Sequence, residues 1–121
     1  MDRRAPLEGK VVIVTGAAGA IGRAISAFLA ADGARVITAD LNDSAVEAVA
    51  ESIRADGHDA WATTVDVTRD DGPESLVRAA VARYGRLDAI VANAGILSIS
   101  PILEMPVAEW DRIFAVNTRG V

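Results

Sequence analysis

VVIVTGAAGAIGRAI, residues 11–25, joins four consecutive apolar residues to a run of glycine and alanine and then to an apolar pattern of longer period. Val11–Val14 is short, unbroken and β-branched, as a strand covered on both faces is. Ile21, Ala24, Ile25 and Phe28 recur at i, i+3, i+4 and i+7, so a helix starts near Ile21 with these four on one face, the stripe expected to meet the core. Only a tight turn remains between them. Gly16, Gly19 and Gly22 stand where the backbone must bend, and glycine admits the positive φ that such a bend demands. Bare amides at a first helical turn, with the positive end of the helix dipole behind them, suit an anion. The turn is therefore read as room for a pyrophosphate, with Gly16, Ala18, Gly19, Ile21 and Gly22 around it. The other reading of the same glycines is close helix-on-strand packing with no ligand.

Working outward, short apolar runs alternate with segments of helical period, the pattern of a parallel sheet with crossover helices. Strands are expected at Val11–Val14, Arg35–Ala39, Ala60–Val65 and Leu87–Ala92. Val46, Val49, Ala50 and Ile53 mark the face of a second helix, and Val77, Ala80, Val81 and Tyr84 that of a third. Ser44 with Glu47 has capping-box spacing, Asp71 ahead of Pro73 suits another helix start, and a fourth helix is expected after Pro106. The result is one βαβαβαβα run with no internal repeat or linker.

The chain has 121 residues, the size of one ordinary domain or part of one, and a soluble balance of 51% hydrophobic and 24% charged residues. A net charge of −5, with basic residues scattered apart from Arg3 and Arg4, opposes binding to nucleic acid. The absence of cysteine excludes disulfides and thiolate metal sites, and a lone His58, expected in a solvated loop, builds no zinc site. No metal is expected. The amino terminus lacks the apolar core of a signal peptide, and the longest uncharged stretch, residues 89–103, is broken by Asn93, Gly95 and Pro101. A cytoplasmic protein without a membrane partner is expected.

Asp40 closes the second strand about 18 residues beyond Gly22, near the spacing of the acid that binds the adenosine ribose hydroxyls. With Ser44 as the helix cap, its carboxylate is expected to be free to point outward from the strand's carboxyl end. Trp110, Ile113, Phe114 and Asn117 share one helical stripe, so the Asn117 amide is expected to be buried, either satisfying a neighbouring backbone or serving the site.

TGAAGAIG at Thr15–Gly22, DVT at Asp66–Thr68, NAG at Asn93–Gly95 and NTRG at Asn117–Gly120 together resemble the short-chain dehydrogenase/reductase family over essentially the whole chain. The family's turn usually reads T-G-x-x-x-G-x-G. Here its middle glycine position is Ala20, with Gly19 one place earlier. The resemblance implies a Rossmann-type doubly wound α/β fold with a partial parallel sheet of order 3-2-1-4, residues 1–121 being the amino-terminal part of a single dinucleotide-binding domain. It also implies that Asp66 and Val67 hold the adenine, that the backbone at Asn93 and Gly95 lines the ribose side, that Thr15 ties the first strand to the fourth, and that Asn117 is the active-site asparagine of a proton relay.

By the same resemblance the chemistry is hydride transfer between a nicotinamide and an alcohol or ketone, with serine, tyrosine and lysine in the catalytic roles. None of the three is assigned. Tyr84 lies on the expected core face of the third helix, and Ser98 and Ser100 precede Asn117, whereas the family's serine follows it. The catalytic half is expected to lie outside this chain, which alone is expected to be inactive; an apolar fourth strand at the sheet edge is expected to need a further neighbour. NAD is expected over NADP, because Asp40 repels an added 2′-phosphate and neither Ala17 nor Leu41 is basic. Ile96, Leu97 and Ile99 suggest an apolar substrate wall, and the family's homodimers or homotetramers are expected of the whole protein. A non-catalytic nucleotide-binding module complete at 121 residues is the alternative, and a truncated product that aggregates through its open edge is a third reading.

Overall fold

Strand β1 (Val11–Thr15) is the axis around which the other elements are laid down; the computed structural model describes residues 5–121, and the basic pair Arg3 and Arg4 lies outside them. Helix α1 (Ala20–Ala31), β2 (Arg35–Asp40), α2 (Asp43–Ala55), β3 (Ala60–Thr64), α3 (Gly72–Tyr84), β4 (Ala89–Val91) and α4 (Val107–Phe114) follow in order, and a π-helical turn, Ala115–Arg119, continues α4. The strands form one parallel sheet in the order β3-β2-β1-β4, as expected. Alternation along β1 feeds two cores. Val12 and Val14 pack with Val36, Val46, Val49 and Ile53 under α1 and α2, while Val11 and Ile13 pack with Ile37, Leu76 and Ala80 under α3. Each fully buried Val or Ile contributes about 2 kcal/mol of burial, so the run of four anchors the sheet.

Helix α2 turns the expected face inward: Val46, Val49, Ala50 and Ile53 are all buried. Helix α1 does not. Its buried residues are Gly22, Ser26 and Ala30; of the expected stripe only Ile25 packs partly on the core, while Ala24 is exposed and Ile21 and Phe28 are both 69% exposed. The cause is steric: a Cβ on Gly22 would lie 2.2 Å from the Gly16 carbonyl oxygen, so only a glycine face can approach the turn this closely. Helix α3 repeats the arrangement, burying Gly72, Leu76 and Ala80 while Val77 and Val81 turn partly to solvent. A Cβ on Gly72 would meet the Asp66 carbonyl oxygen at 2.1 Å. Tyr84, half-buried against this second core, donates its hydroxyl to Asp59 at 3.0 Å, and burial pushes its pKa up.

The cap of α2 is Asn42 rather than Ser44. The Asn42 side chain accepts from the Ala45 amide at 3.1 Å and from the Ser44 hydroxyl, while Glu47 pairs with Arg54 about two turns on. Asp71 does begin α3, but its carboxylate pairs with Arg69 instead of capping. Strand β4 is shorter than expected and open, with Ile90 51% exposed at the sheet edge, and Val65 falls just past β3 yet stays buried. His58 is exposed in the loop before β3. Among the described residues no helix is long and apolar enough to cross a membrane, and no group of three or more His, Asp or Glu side chains is placed to hold a metal.

At the amino-terminal edge of the sheet Asp88 joins β4 to β1, accepting the Val11 amide at 2.9 Å beside Arg86 and Lys10. The Arg86 hydrogen bond first, and the Val11 amide second, lower its pKa to about 2. A folded pKa below the unfolded one gives stability that is complete above about pH 4 and is lost as pH falls through 2. Asp88→Asn is therefore expected to melt a few degrees below the parent at pH 7 and to lose less than the parent between pH 4 and 2. Thermal melts at the three pH values measure both, and parallel curves for the two proteins would contradict the assignment.

Candidate functional site

All four strands deliver their carboxyl ends to one side of the sheet, so the loops that follow them converge there. After β1 the chain turns through Gly16, whose φ of 64° lies in the left-handed region and whose Cβ would touch Ala94 Cα at 2.9 Å. Of the three turn glycines only Gly16 uses positive φ. Gly19, at the N-cap of α1, has an ordinary φ of −75°, and a Cβ there would meet only the Gly16 carbonyl oxygen at 3.4 Å. Helix α1 has no side-chain cap and no acid in its first turn, and its amides at Ala20, Ile21 and Gly22 precede the first bond of the helix, Arg23 N–H to the Gly19 carbonyl.

The turn is strapped from both neighbouring strands. From β4's end, Asn93 Nδ2 donates to the carbonyls of Thr15 and Gly16 at 3.1 and 3.3 Å. Thr15 Oγ1 accepts the amides of Asn93 and Ala94 and donates to the Val91 carbonyl, so this threonine does join β1 to β4. From β2's end, Asp40 accepts the Ala18 amide on Oδ2 and the Asn42 amide on Oδ1, both at 3.1 Å. Its carboxylate is thus not free, as expected from a Ser44 cap, but engaged with the glycine turn while still lining the cleft.

Past β3, Asp66 takes both the hydroxyl and the amide of Thr68 on Oδ1, and these bonds, the hydroxyl first, hold its pKa below the usual carboxylate value. Asn117 stands in the π-helical turn and is exposed rather than buried, because Trp110 and Phe114 on the same stripe are themselves 48% exposed. Its amide grips one residue: Oδ1 accepts the Ile96 amide and Nδ2 donates to the Ile96 carbonyl, each at 2.8 Å. Of the two roles open to it, the backbone one is what its contacts make. Gly120 is right-handed, with no room for a Cβ against Val67.

Two adjoining hollows result, sharing Gly16, Asp40 and Gly95. One, enclosing about 620 Å³ with open solvent included, is floored by Gly19, Ala20, Ile21, Gly22 and Asn93. The other, about 530 Å³ on the same measure, is walled by Leu41, Val65, Asp66, Val67, Ile96 and Val116. Of the expected residues Ala18 and Asn117 line neither; the Ala18 amide faces Asp40, and Asn117 is engaged with Ile96. Val116 was not anticipated, and its only sequence signal is a β-branched residue beside Asn117. Tyr84 sits beside Arg35 and Asp59 at the opposite edge of the sheet, too far round to serve this cleft. Leu97 and Ile99 are more than 80% exposed beyond it.

A family model described as short chain dehydrogenase matches residues 10–121. The chain belongs to this family. Among its relatives, a short-chain dehydrogenase/reductase of Hericium erinaceus is 46% identical, over 92% of this chain and 46% of its own length. A versicolorin reductase of Emericella nidulans is 41% identical, over 94% and 44%. The crystal structure of a short-chain type dehydrogenase/reductase from Mycobacterium marinum superposes with a TM-score of 0.92 at 33% identity, over 97% of this chain and 47% of that one. The chain thus spans about half the length of the relatives it matches. The cleft of this short-chain dehydrogenase chain fits a dinucleotide in its chemistry: uncapped helix amides at one end, apolar walls at the other, and a carboxylate between them.

Proposed function

We propose that the protein is an NAD-dependent oxidoreductase acting on an alcohol or ketone, and that residues 1–121 supply its dinucleotide site. Asp40 carries this reading, because it lies where the two hollows meet. The amides of Ala20, Ile21 and Gly22, with bare glycine at Gly16 and Gly19, would hold the diphosphate. The Asp40 carboxylate would accept the adenosine ribose hydroxyls on the lone pairs that Ala18 and Asn42 leave open. Val65 and Val67 would flank the adenine with Asp66 at its rim, while Asn93 and Gly95 bound the ribose side. The bound nicotinamide supplies hydride exchange with the substrate carbon.

Asn117, acting through Ile96, would position the segment that separates cofactor from substrate, and the exposed Leu97 and Ile99 would offer an apolar substrate wall. The serine, tyrosine and lysine of the family's chemistry are left to a catalytic half outside these residues. Location in the cytoplasm and association as a homodimer or homotetramer, through the exposed Trp110–Phe114 face of α4, belong to the same reading.

Cofactor choice follows from charge. A 2′-phosphate on the ribose would sit against Asp40 with no Lys or Arg at Ala17 or Leu41 to offset it. Two like charges about 4 Å apart repel by ~1 to ~4 kcal/mol at such a surface, so the protein is expected to bind NAD at least about fivefold more tightly than NADP. Titration of purified protein with each cofactor by calorimetry tests this, and tighter binding of NADP would overturn it.

A further inference from the structure

We infer that Asp40 governs affinity for the diphosphate as well as for the ribose, by holding the glycine turn in its anion-binding shape. This rests on the reading of the cleft as a dinucleotide site and assigns Asp40 a second, positioning role within it. Asp40 ends β2, yet its Oδ2 accepts the amide of Ala18 in the turn between β1 and α1. Its Oδ1 is fixed by Asn42 N–H, so the carboxylate is oriented from its own strand before any sugar arrives. Ala17 N–H is held in the same way by the Ala39 carbonyl at 3.1 Å, which makes the end of β2 the scaffold of residues 17 and 18.

On the opposite side Asn93 fixes the carbonyls of Thr15 and Gly16. Without Asp40 the Ala18 amide loses its partner, Gly19 keeps its turn bond to Gly16 and the Arg23 N–H on its carbonyl, and α1 has no side-chain cap to replace the lost hold on residue 18. The consequence is directional. The uncapped amides that follow Gly19 point where the turn places them, and an amide aimed even an ångström away loses most of a charge-assisted hydrogen bond. The Ala18 amide, satisfied by Asp40, is also kept from competing for the anion.

The probes are ADP and 2′,3′-dideoxy-ADP, which carries the same diphosphate but no hydroxyl for Asp40 to bind. Asp40→Asn and Asp40→Ala both remove the negative charge, so their electrostatic effect on an anion is the same. Only the asparagine retains an oxygen, one for the two amides that Asp40 holds, and slowed exchange at the Ala18 amide reports that it takes that one rather than Asn42 N–H. Asp40→Asn is therefore expected to bind 2′,3′-dideoxy-ADP about tenfold more tightly than Asp40→Ala, with slower hydrogen exchange at the Ala18 amide, in proteins whose circular dichroism melts confirm that both are folded. Equal affinities of the two variants for the dideoxy nucleotide, in a parent that binds ADP, would overturn the inference and leave the dinucleotide site standing. A parent that binds neither nucleotide would overturn the site itself, and the inference with it.

Discussion

Gly22→Ala is expected to lower the melting midpoint by on the order of 10 °C, although it adds one methyl group to the first turn of a helix that alanine otherwise favours. By helix propensity alone the change would stabilise α1 by about 1 kcal/mol. Packing reverses the sign, because the new carbon would lie 2.2 Å from the Gly16 carbonyl oxygen and 2.8 Å from Asn93 Nδ2. The nearer of these is backbone held in a left-handed turn, which cannot rotate away as a flexible side chain would. Helix α1 must then lift from β1, opening the contacts of Ser26 and Ala30 below it, and overpacking of this kind costs about 3 kcal/mol. Thermal unfolding by circular dichroism reads the shift. A midpoint equal to the parent's would mean that the turn yields and that Gly22 is not the residue setting the depth of the helix.

The same glycine explains what was and was not legible in the residues. Strand positions and sheet order follow from apolar runs such as Val11–Val14, whose burial depends only on their being apolar throughout, so they are insensitive to a small error in boundary. The converging loops were legible for a related reason: in a parallel sheet Asp40, Asp66 and Asn93 end strands or follow them, and so share one edge whatever their side chains do. Helix rotation is different. The apolar stripe of α2 decides its inward face, but in α1 and α3 a backbone carbonyl approaches the helix so closely that glycine takes precedence over larger apolar residues.

A spacing was there to find. Gly22, Ser26 and Ala30 recur every four residues, as do Gly72, Leu76 and Ala80, and the small-residue stripe marks the buried face better than Ile21 or Val77. The Asn42 cap and the Asp40 strap were hidden because each depends on which of several nearby polar side chains reaches an amide first. Asn42 lies one residue closer to the strand than α2's first turn, and its oxygen meets Ala45 N–H directly. Asn117 was placed on the right stripe but in the wrong environment, since the face of α4 that carries it is not covered among the described residues.

Gly19→Asp separates folding from binding at the turn, and the two are expected to move apart. Gly19 has the extended backbone of an N-cap, φ −75° and ψ 167°, which any residue adopts, and its Cβ would meet nothing closer than 3.4 Å. Aspartate caps a helix better than glycine by a few tenths of a kcal/mol, and its charge at the positive end of the dipole contributes about 0.5 kcal/mol more. The melting midpoint should stay level or rise slightly. Neither backbone geometry nor packing therefore requires glycine here, which leaves the open hollow beyond it as the reason for a bare position. The aspartate would fill that space, occupy the helix amides and set a negative charge beside the diphosphate. Repulsion together with the lost hydrogen bonds amounts to ~3 kcal/mol, so affinity for NAD should fall by about 100-fold. Calorimetric titration beside a thermal melt of the same preparation measures both quantities. Undiminished affinity in a folded Gly19→Asp protein would remove the diphosphate from the turn, and the small residues between β1 and α1 would then serve packing alone.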